Sequence, residues 1–291
     1  MEFHLEEFSS FAHEAPYSLA LHSSIGCGGV ARACFYPKSV NEAVSLLQAF
    51  EKRGVPYYMV GNMTNILPAD GGTNKALIST KCLTEIKFGE YTYVGAGVTS
   101  GAFLRGCKKA ELGGCEFLAG IPCTLGGALY MNAGAAGRYI AELLDSVLVY
   151  TQGELKTLPV KECGYAYKTS RFMTDKSVIL GGTLRLQETS VEEIEKSKRA
   201  YMEKRAHLPK GKSMGCVFKN PKGVFAGALI EGAGLKGLRN GGARISEEHA
   251  NFIINEGGCS AAEIKALIQT IKNAVFSQYG VALEEEIQYL E

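Results

Sequence analysis

This chain has no excess of charge, no paired metal-ligand motif and no segment suited to a leader peptide or a membrane span. Its 31 Lys and Arg face 30 Asp and Glu, for a formal net charge of +1. Neither sign gathers into blocks, so a basic surface for nucleic acid or for an anionic membrane is missing. The nine cysteines (27, 34, 82, 107, 115, 123, 163, 216 and 259) stand singly, with no Cys-x-x-Cys and no His pair at ligand spacing. That pattern argues against zinc and against structural disulfides, and it fits a reducing compartment. No metal is expected. The opening MEFHLEEFSS carries acids where a signal peptide needs a basic region followed by an apolar one, so a cytoplasmic protein is expected. No internal repeat or low-complexity tract is present.

Charge is also missing locally, from Phe117 to Gly137. The length raises the question of a membrane span, but the glycines, Pro122, Thr124 and Asn132 argue against a lipid-facing helix, because unpaired backbone groups are costly in hydrocarbon. What remains is a long stretch of bare backbone in a 291-residue chain whose length suggests about two domains, or three small ones.

The rest of the chain mixes strands and helices. Ser39 and Glu42 make a capping box, and Ala43, Leu46, Leu47 and Phe50 recur at helical spacing up to Gly54. With CFYP before it and YYMV after it, residues 33–60 read as a β-α-β unit. ALIS and YTYVGAG read as strands, GAFLRGCKKAEL as a helix, SVLVYTQGELKTL as a hairpin turning at Gln152-Gly153, and SVILGGTLRLQ as a further strand. Ser190 with Glu193 opens a charged helix expected to run to about Leu208-Pro209. Ser260 with Glu263 opens another, whose apolar face is Ile264, Leu267, Ile268, Ile271 and Val275. VALEEEIQYL at the end reads as a strand. The elements do not alternate regularly, so the fold class is α+β and not a doubly wound sheet. GAGVTSG at 95–101 and GAGLKG at 232–237 imitate a dinucleotide fingerprint, but neither has both the spacing and the strand-turn-helix context.

Two uncharged loops point to a large ligand. Backbone that approaches a planar or phosphorylated group must lack side chains at the contact, and tight turns that pack a helix on a sheet would use the same residues. The glycine-rich stretch alone leaves both readings open. The second loop, GNMTNIL at 61–67, leaves the YYMV strand with a glycine, two asparagines and a threonine. Small polar donors at a strand end suit a pyrophosphate, and two such loops suit a dinucleotide.

These residues carry a family resemblance. GNMTNIL resembles the Gly-x-Gly-Ser-Asn-x-Leu loop of the MurB family, the FAD-dependent UDP-N-acetylenolpyruvoylglucosamine reductases of peptidoglycan synthesis. GCEFLAGIPCTLGGALYMNAGAAG is similar to that family's Gly-x-Glu-Phe-x-x-Gly-Ile-Pro-Gly-Thr-x-Gly-Gly-Ala-x-x-Met-Asn-Ala-Gly-Ala-x-Gly. YKTSRF, GCVFKNP, LIEGAGLKGLRNGGARISEEHANFIIN and LEEEI resemble its later motifs, in order. The match runs from about HSSIGCGGVA at 22–31 to the C-terminus.

The resemblance implies a two-part FAD-binding region of the vanillyl-alcohol-oxidase/PCMH type, residues 1–80 and 81–200, and a MurB C-terminal substrate domain, 201–280. The strand 281–291 is expected to join the first part. It also implies FAD bound non-covalently, with NADPH as electron donor and a nucleotide sugar as substrate. A monomer is expected. FAD contacts would come from Gly61, Asn62, Met63, Thr64, Asn65, Ile66 and Leu67, and from Gly120, Ile121, Pro122, Cys123, Thr124, Gly126, Gly127, Asn132, Ala133, Gly134 and Gly137.

Hydride added to the enolpyruvyl double bond leaves carbanion character beside the carboxylate, so the chemistry needs a proton donor, a cation and a carboxylic acid. The family's donor is a serine, and Cys216 stands in its place; a thiol of ordinary pKa near 8.5 keeps the role. Glu286 matches the acid, although Glu284 and Glu285 stand beside it. The family's cation is an arginine after tyrosine, whereas this chain has Lys168 after Tyr167, with Arg171 as a reserve. Lysine keeps the charge and loses the bidentate grip. Lys219 and Asn220 match the diphosphate end, and Arg205, His207, Lys210 and Lys212 add charge before it. A flavin oxidase of a sugar or alcohol on the same fold, or a homologue that binds FAD and a nucleotide sugar without turnover, are the alternative functions.

Overall fold

Helices begin where the caps predict. In the computed structural model, which describes residues 4–291, Ser39 Oγ accepts from the Glu42 N–H at 3.1 Å and opens the helix Val40–Arg53, which Gly54 ends at φ 63°. The Glu42 carboxylate accepts from the Lys38 N–H at 2.9 Å and does not return to Ser39, so the box is shifted by one residue. Ala43, Leu46, Leu47 and Phe50 are fully buried and pack with Phe35 and Ile78. Each large side chain buried there contributes roughly 1.5–3 kcal/mol.

The chain divides into two compact units. The first comprises the N-terminal residues through Glu14, Ala33–Asn62 and Lys75–Ala206. It contains the expected β-α-β: strands Cys34–Phe35 and Tyr57–Val60 both run parallel to Ala76–Ser79, which lies between them, and His13–Glu14 pairs antiparallel on the other edge of Cys34–Phe35. A second, five-stranded antiparallel sheet takes the order Glu154–Pro159, Leu144–Thr151, Val178–Arg185, Tyr91–Gly95, Ile86–Lys87. Its hairpin turns at Gln152 and Gly153, φ 53° and 80°, the two left-handed residues of a type I′ turn. Gly182 in the Val178–Arg185 strand lets the helix Leu125–Met131 approach: a Cβ there would stand 2.9 Å from Leu129 Cδ1. The helix expected over 101–112 spans Ser100–Lys109, and Glu111 follows at φ 53°. The charged helix spans Val191–Lys204, shorter than the expected end near Pro209, and the unit closes at Ala206.

The second unit comprises Ala15–Arg32, Met63–Asn74 and His207–Glu291. A three-stranded antiparallel sheet, Arg239–Asn240, Ala243–Ile245 and Ile253–Asn255, packs with the helix Ala261–Tyr279, whose Ile264, Leu267, Ile268, Ile271 and Val275 are buried as expected. Its capping box is complete, and Asp70 adds to it by accepting from the N–H groups of Ala261 and Ala262 at 2.7 and 3.0 Å. The strand expected over VALEEEIQYL is confined to Gln288–Leu290, parallel to Ile66–Pro68. Glu284–Glu286 lie ahead of it, tied to residues 217–219 by single backbone bonds and not by a continuous ladder. By contacts, therefore, the C-terminal strand and the 63–74 segment group with the C-terminal residues. The expected functional parts (1–80, whose first three residues lie outside the described ones, 81–200 and 201–280) cut the chain elsewhere. Among the described residues no helix is long and apolar enough to cross a membrane, and no cluster of His, Cys, Asp and Glu could hold a metal.

Candidate active site

In the first unit the strand Tyr57–Val60 ends at Gly61, and a Cβ on Gly61 would stand 2.4 Å from Thr124 Oγ1. The two uncharged loops therefore meet backbone to side chain, and only glycine allows it. Thr124 caps the helix Leu125–Met131 by accepting from the Gly127 N–H at 3.4 Å. Gly127 is exposed, and the nearest atom to a Cβ there would be Thr124 Oγ1 at 3.5 Å. Other glycines of the stretch have packing reasons: a Cβ on Gly126 would stand 3.0 Å from that of Ala96, and Gly134 faces the Arg138 carbonyl across a two-residue strand pair. Gly120 and Gly137 turn the chain at φ 76° and 82°. Ile121 and Ala133 pack in the core, and Pro122 is exposed. Cys123 is not in the left-handed region, so a cysteine in place of the family glycine imposes no backbone strain. Burial pushes its thiol up to about 11, against Ser100 and Arg205, which pull it down. A charge-free surface with an exposed glycine at 127 fits a group bound through main-chain N–H groups, and so fits FAD.

The same unit carries the candidate cation. Ala166 and Thr169 exchange both backbone hydrogen bonds at 3.2 Å, which puts Tyr167 and Lys168 at the tip of a two-residue turn, with Lys168 at φ 52°. Arg171, the expected reserve, is spent on its own loop: Nε donates to Asp175 Oδ2 at 2.7 Å and an Nη to the Glu162 carbonyl at 3.0 Å. Asn132 caps the 125–131 helix in the left-handed region, φ 45°, and its amide donates to the Ala166 carbonyl at 2.8 Å.

In the second unit Met63 and Leu67 are buried. Met63 O accepts from Ser24, and Asn65 is bound to the C-terminal segment, its Nδ2 donating to the Glu286 carbonyl at 3.0 Å and its carbonyl accepting from the Gln288 N–H at 2.8 Å. Thr64 and Ile66 are half-buried between them. Residues 216–220 run between two partners. On one side the Asn251 side chain grips Phe218, accepting from its N–H at 2.9 Å and donating to its carbonyl at 2.8 Å. On the other, the Glu286 N–H donates to the Val217 carbonyl at 2.7 Å and the Lys219 N–H to the Glu284 carbonyl at 2.9 Å. Cys216 and Glu286 are thereby held one residue apart across the pair.

Two of the three adjacent glutamates pair with lysines. Glu284 pairs with Lys219. Glu285 takes Lys272 at 2.8 Å and the Tyr289 hydroxyl; against burial, which pushes its carboxyl up, these hydrogen bonds hold it below the ordinary value. Asn220 Oδ1 accepts from the Ala226 N–H at 3.0 Å at the start of the helix Ala226–Gly232. Cys216 lines a cleft of about 230 Å³ with Asn220, Phe225, Glu231, His249 and Asn251. Sequence reasoning did not single out His249 or Asn251, although both lie in the quoted EEHANFIIN. Polar residues in the turn just ahead of the apolar strand Ile253–Asn255 were the available signal.

Residues 31–158 match the FAD binding domain family, and residues 206–290 match the C-terminal domain of UDP-N-acetylenolpyruvoylglucosamine reductase. The UDP-N-acetylenolpyruvoylglucosamine reductase of Geobacter metallireducens is 39% identical over 274 residues, 93% of this chain and 91% of that protein. The chain belongs to the UDP-N-acetylenolpyruvoylglucosamine reductase family. The enzyme of the same name from Shouchella clausii is also 39% identical, over 92% of this chain and 88% of its own length. The crystal structure of the Thermus caldophilus reductase superposes with a TM-score of 0.83 at 31% identity, covering 97% of this chain and 99% of that one. The family's α+β architecture, an FAD-binding region followed by the reductase C-terminal domain, is the architecture of this chain.

Proposed function

We propose that this protein is an FAD-dependent reductase that converts UDP-N-acetylglucosamine enolpyruvate to UDP-N-acetylmuramate with NADPH, as a cytoplasmic monomer in peptidoglycan synthesis. The observation that supports the reading is the backbone pairing of residues 217–219 with 284–286, which brings the segment that carries Cys216, on a cleft, together with the segment that carries Glu286. The chemistry a bound FAD supplies is hydride carriage from NADPH to the enolpyruvyl double bond.

The chain's own groups complete the addition. Cys216 gives its thiol proton to the carbon next to the substrate carboxylate and regains one from solvent after turnover. Glu286 hydrogen-bonds the carboxylate as charge builds on it; in the first unit Lys168 takes the place of the cation that the family resemblance implies. Lys219, oriented by Glu284, faces the diphosphate. Asn220 and Asn251 serve by keeping the cleft's walls in place.

The test is anaerobic. NADPH is expected to bleach the flavin, and the enolpyruvyl sugar nucleotide to restore its colour. Protein that takes up no FAD, or reduced flavin that only oxygen reoxidises, would overturn the proposal. Cys216→Ala is expected to leave bleaching by NADPH intact and to slow reoxidation by the sugar nucleotide by orders of magnitude; equal loss in both halves would remove Cys216 from its role.

A further inference from the structure

We propose that Asn132 and Ser170 are positioning residues that fasten the Tyr167-Lys168 turn to the glycine-rich helix Leu125–Met131, and that Asn132 acts through Lys168 and not as a contact to the cofactor. The inference rests on the reading of Lys168 as the substrate-carboxylate cation.

The turn is short and its second residue is left-handed. It is closed by one reciprocal pair at 3.2 Å, and Lys168 stands at φ 52°, where a residue with a side chain is disfavoured. Two buried side chains fasten it, one on each flank. Asn132 Nδ2 donates to the Ala166 carbonyl at 2.8 Å, before the turn, and Ser170 Oγ donates to the Tyr130 carbonyl at 2.6 Å, after it. Both are almost fully buried, 5% and 3% exposed, where an amide or hydroxyl is kept only if it is bonded. The Asn132 Oδ1 is also used, accepting from the Ala141 N–H at 3.3 Å.

Capping alone does not require asparagine, because glycine serves a left-handed C-cap at least as well. The amide is what distinguishes the two, and here it spans from the helix end to the turn. The helix whose first residue follows Thr124, the contact of Gly61, thus carries the Lys168 turn on its last residues. A cation fixed to the element that forms part of the cradle keeps its distance from whatever that cradle holds.

Asn132→Gly keeps the cap and deletes the amide, so it isolates the anchor. In the FAD-loaded enzyme we expect the FAD Kd to stay within about twofold and bleaching by NADPH to be unchanged. Reduction of the sugar nucleotide should slow about tenfold, the scale of one lost hydrogen bond in an oriented site. Hydrogen exchange at the Thr169 amide should rise while that of the Leu125–Met131 helix does not. On a Lys168→Ala background the same change should cost less than about twofold more, because the two act as one unit. Ser170→Ala tests the anchor from the other flank if Asn132→Gly folds poorly. A weakened FAD Kd with slowed bleaching, or a loss fully additive with Lys168→Ala, would overturn the proposal. If the wild-type flavin is not reoxidised by the sugar nucleotide, it is the functional reading that fails, and Thr169 exchange still decides whether the anchor exists.

Discussion

Gly127→Ala separates a glycine that serves the fold from one that serves a ligand. Gly127 is the third residue of the Leu125–Met131 helix and is exposed, and an added Cβ would meet only Thr124 Oγ1, at an ordinary 3.5 Å. With no clash and helical backbone, alanine should stabilise the apo protein by about 0.5–1 kcal/mol. A cofactor lying on this backbone would have to move away from the new methyl group, at about 1–3 kcal/mol, or roughly five- to 150-fold in Kd. Urea unfolding of the apo protein and FAD titration by fluorescence quenching read the two terms separately. The expected result is a higher unfolding midpoint with weaker FAD binding. A higher midpoint with unchanged FAD affinity would refute the cradle at this position. Gly61→Ala is the contrasting case: its Cβ would stand 2.4 Å from the cap oxygen itself, so stability should fall by about 1–3 kcal/mol and FAD binding with it.

Other outcomes follow from the second unit. Asn251→Ala leaves the buried N–H and carbonyl of Phe218 unpaired and should cost about 2–4 kcal/mol in urea unfolding, with sugar-nucleotide reduction falling more than FAD binding; an unchanged midpoint would mean that the segment holds itself. Burial, and after it the charge of His207, push the His249 pKa below its ordinary value. The unfolded chain then binds the extra proton first, so His249 weakens the fold as pH falls below the ordinary histidine value of about 6.5. His249→Asn should flatten the fall of the unfolding midpoint between pH 7.5 and 5.5; an identical slope would show that other groups carry it. Lys168→Arg, which restores the family residue, should retain or raise the rate of sugar-nucleotide reduction, whereas Lys168→Ala should lower it with bleaching by NADPH unaffected.

Local signals were legible in the chain itself. Ser39, Ser190 and Ser260 each start a helix where their spacing to a glutamate places one, Gly54 and Gly280 end two of them, and Gln152-Gly153 turns the hairpin. Such signals act within one turn of backbone, so a sequence window contains the whole cause. The uncharged loops and the Cys216 motif were also visible, because a ligand that approaches bare backbone needs contiguous residues without side chains.

Tertiary structure alone decided what depends on partners far along the chain. Glu284 and Glu285 are alike in sequence and are told apart by their cations, Lys219 for the first and Lys272 for the second. Arg171 is tied to Asp175 and the Glu162 carbonyl, and the Asn132 amide reaches the Ala166 carbonyl, pairings that no sequence window contains. The C-terminal strand is confined to the three residues that pair with Ile66–Pro68. Propensity is a property of a residue and its near neighbours, whereas a hydrogen-bond partner is chosen by the folded chain, and the roles of these side chains are set by that choice.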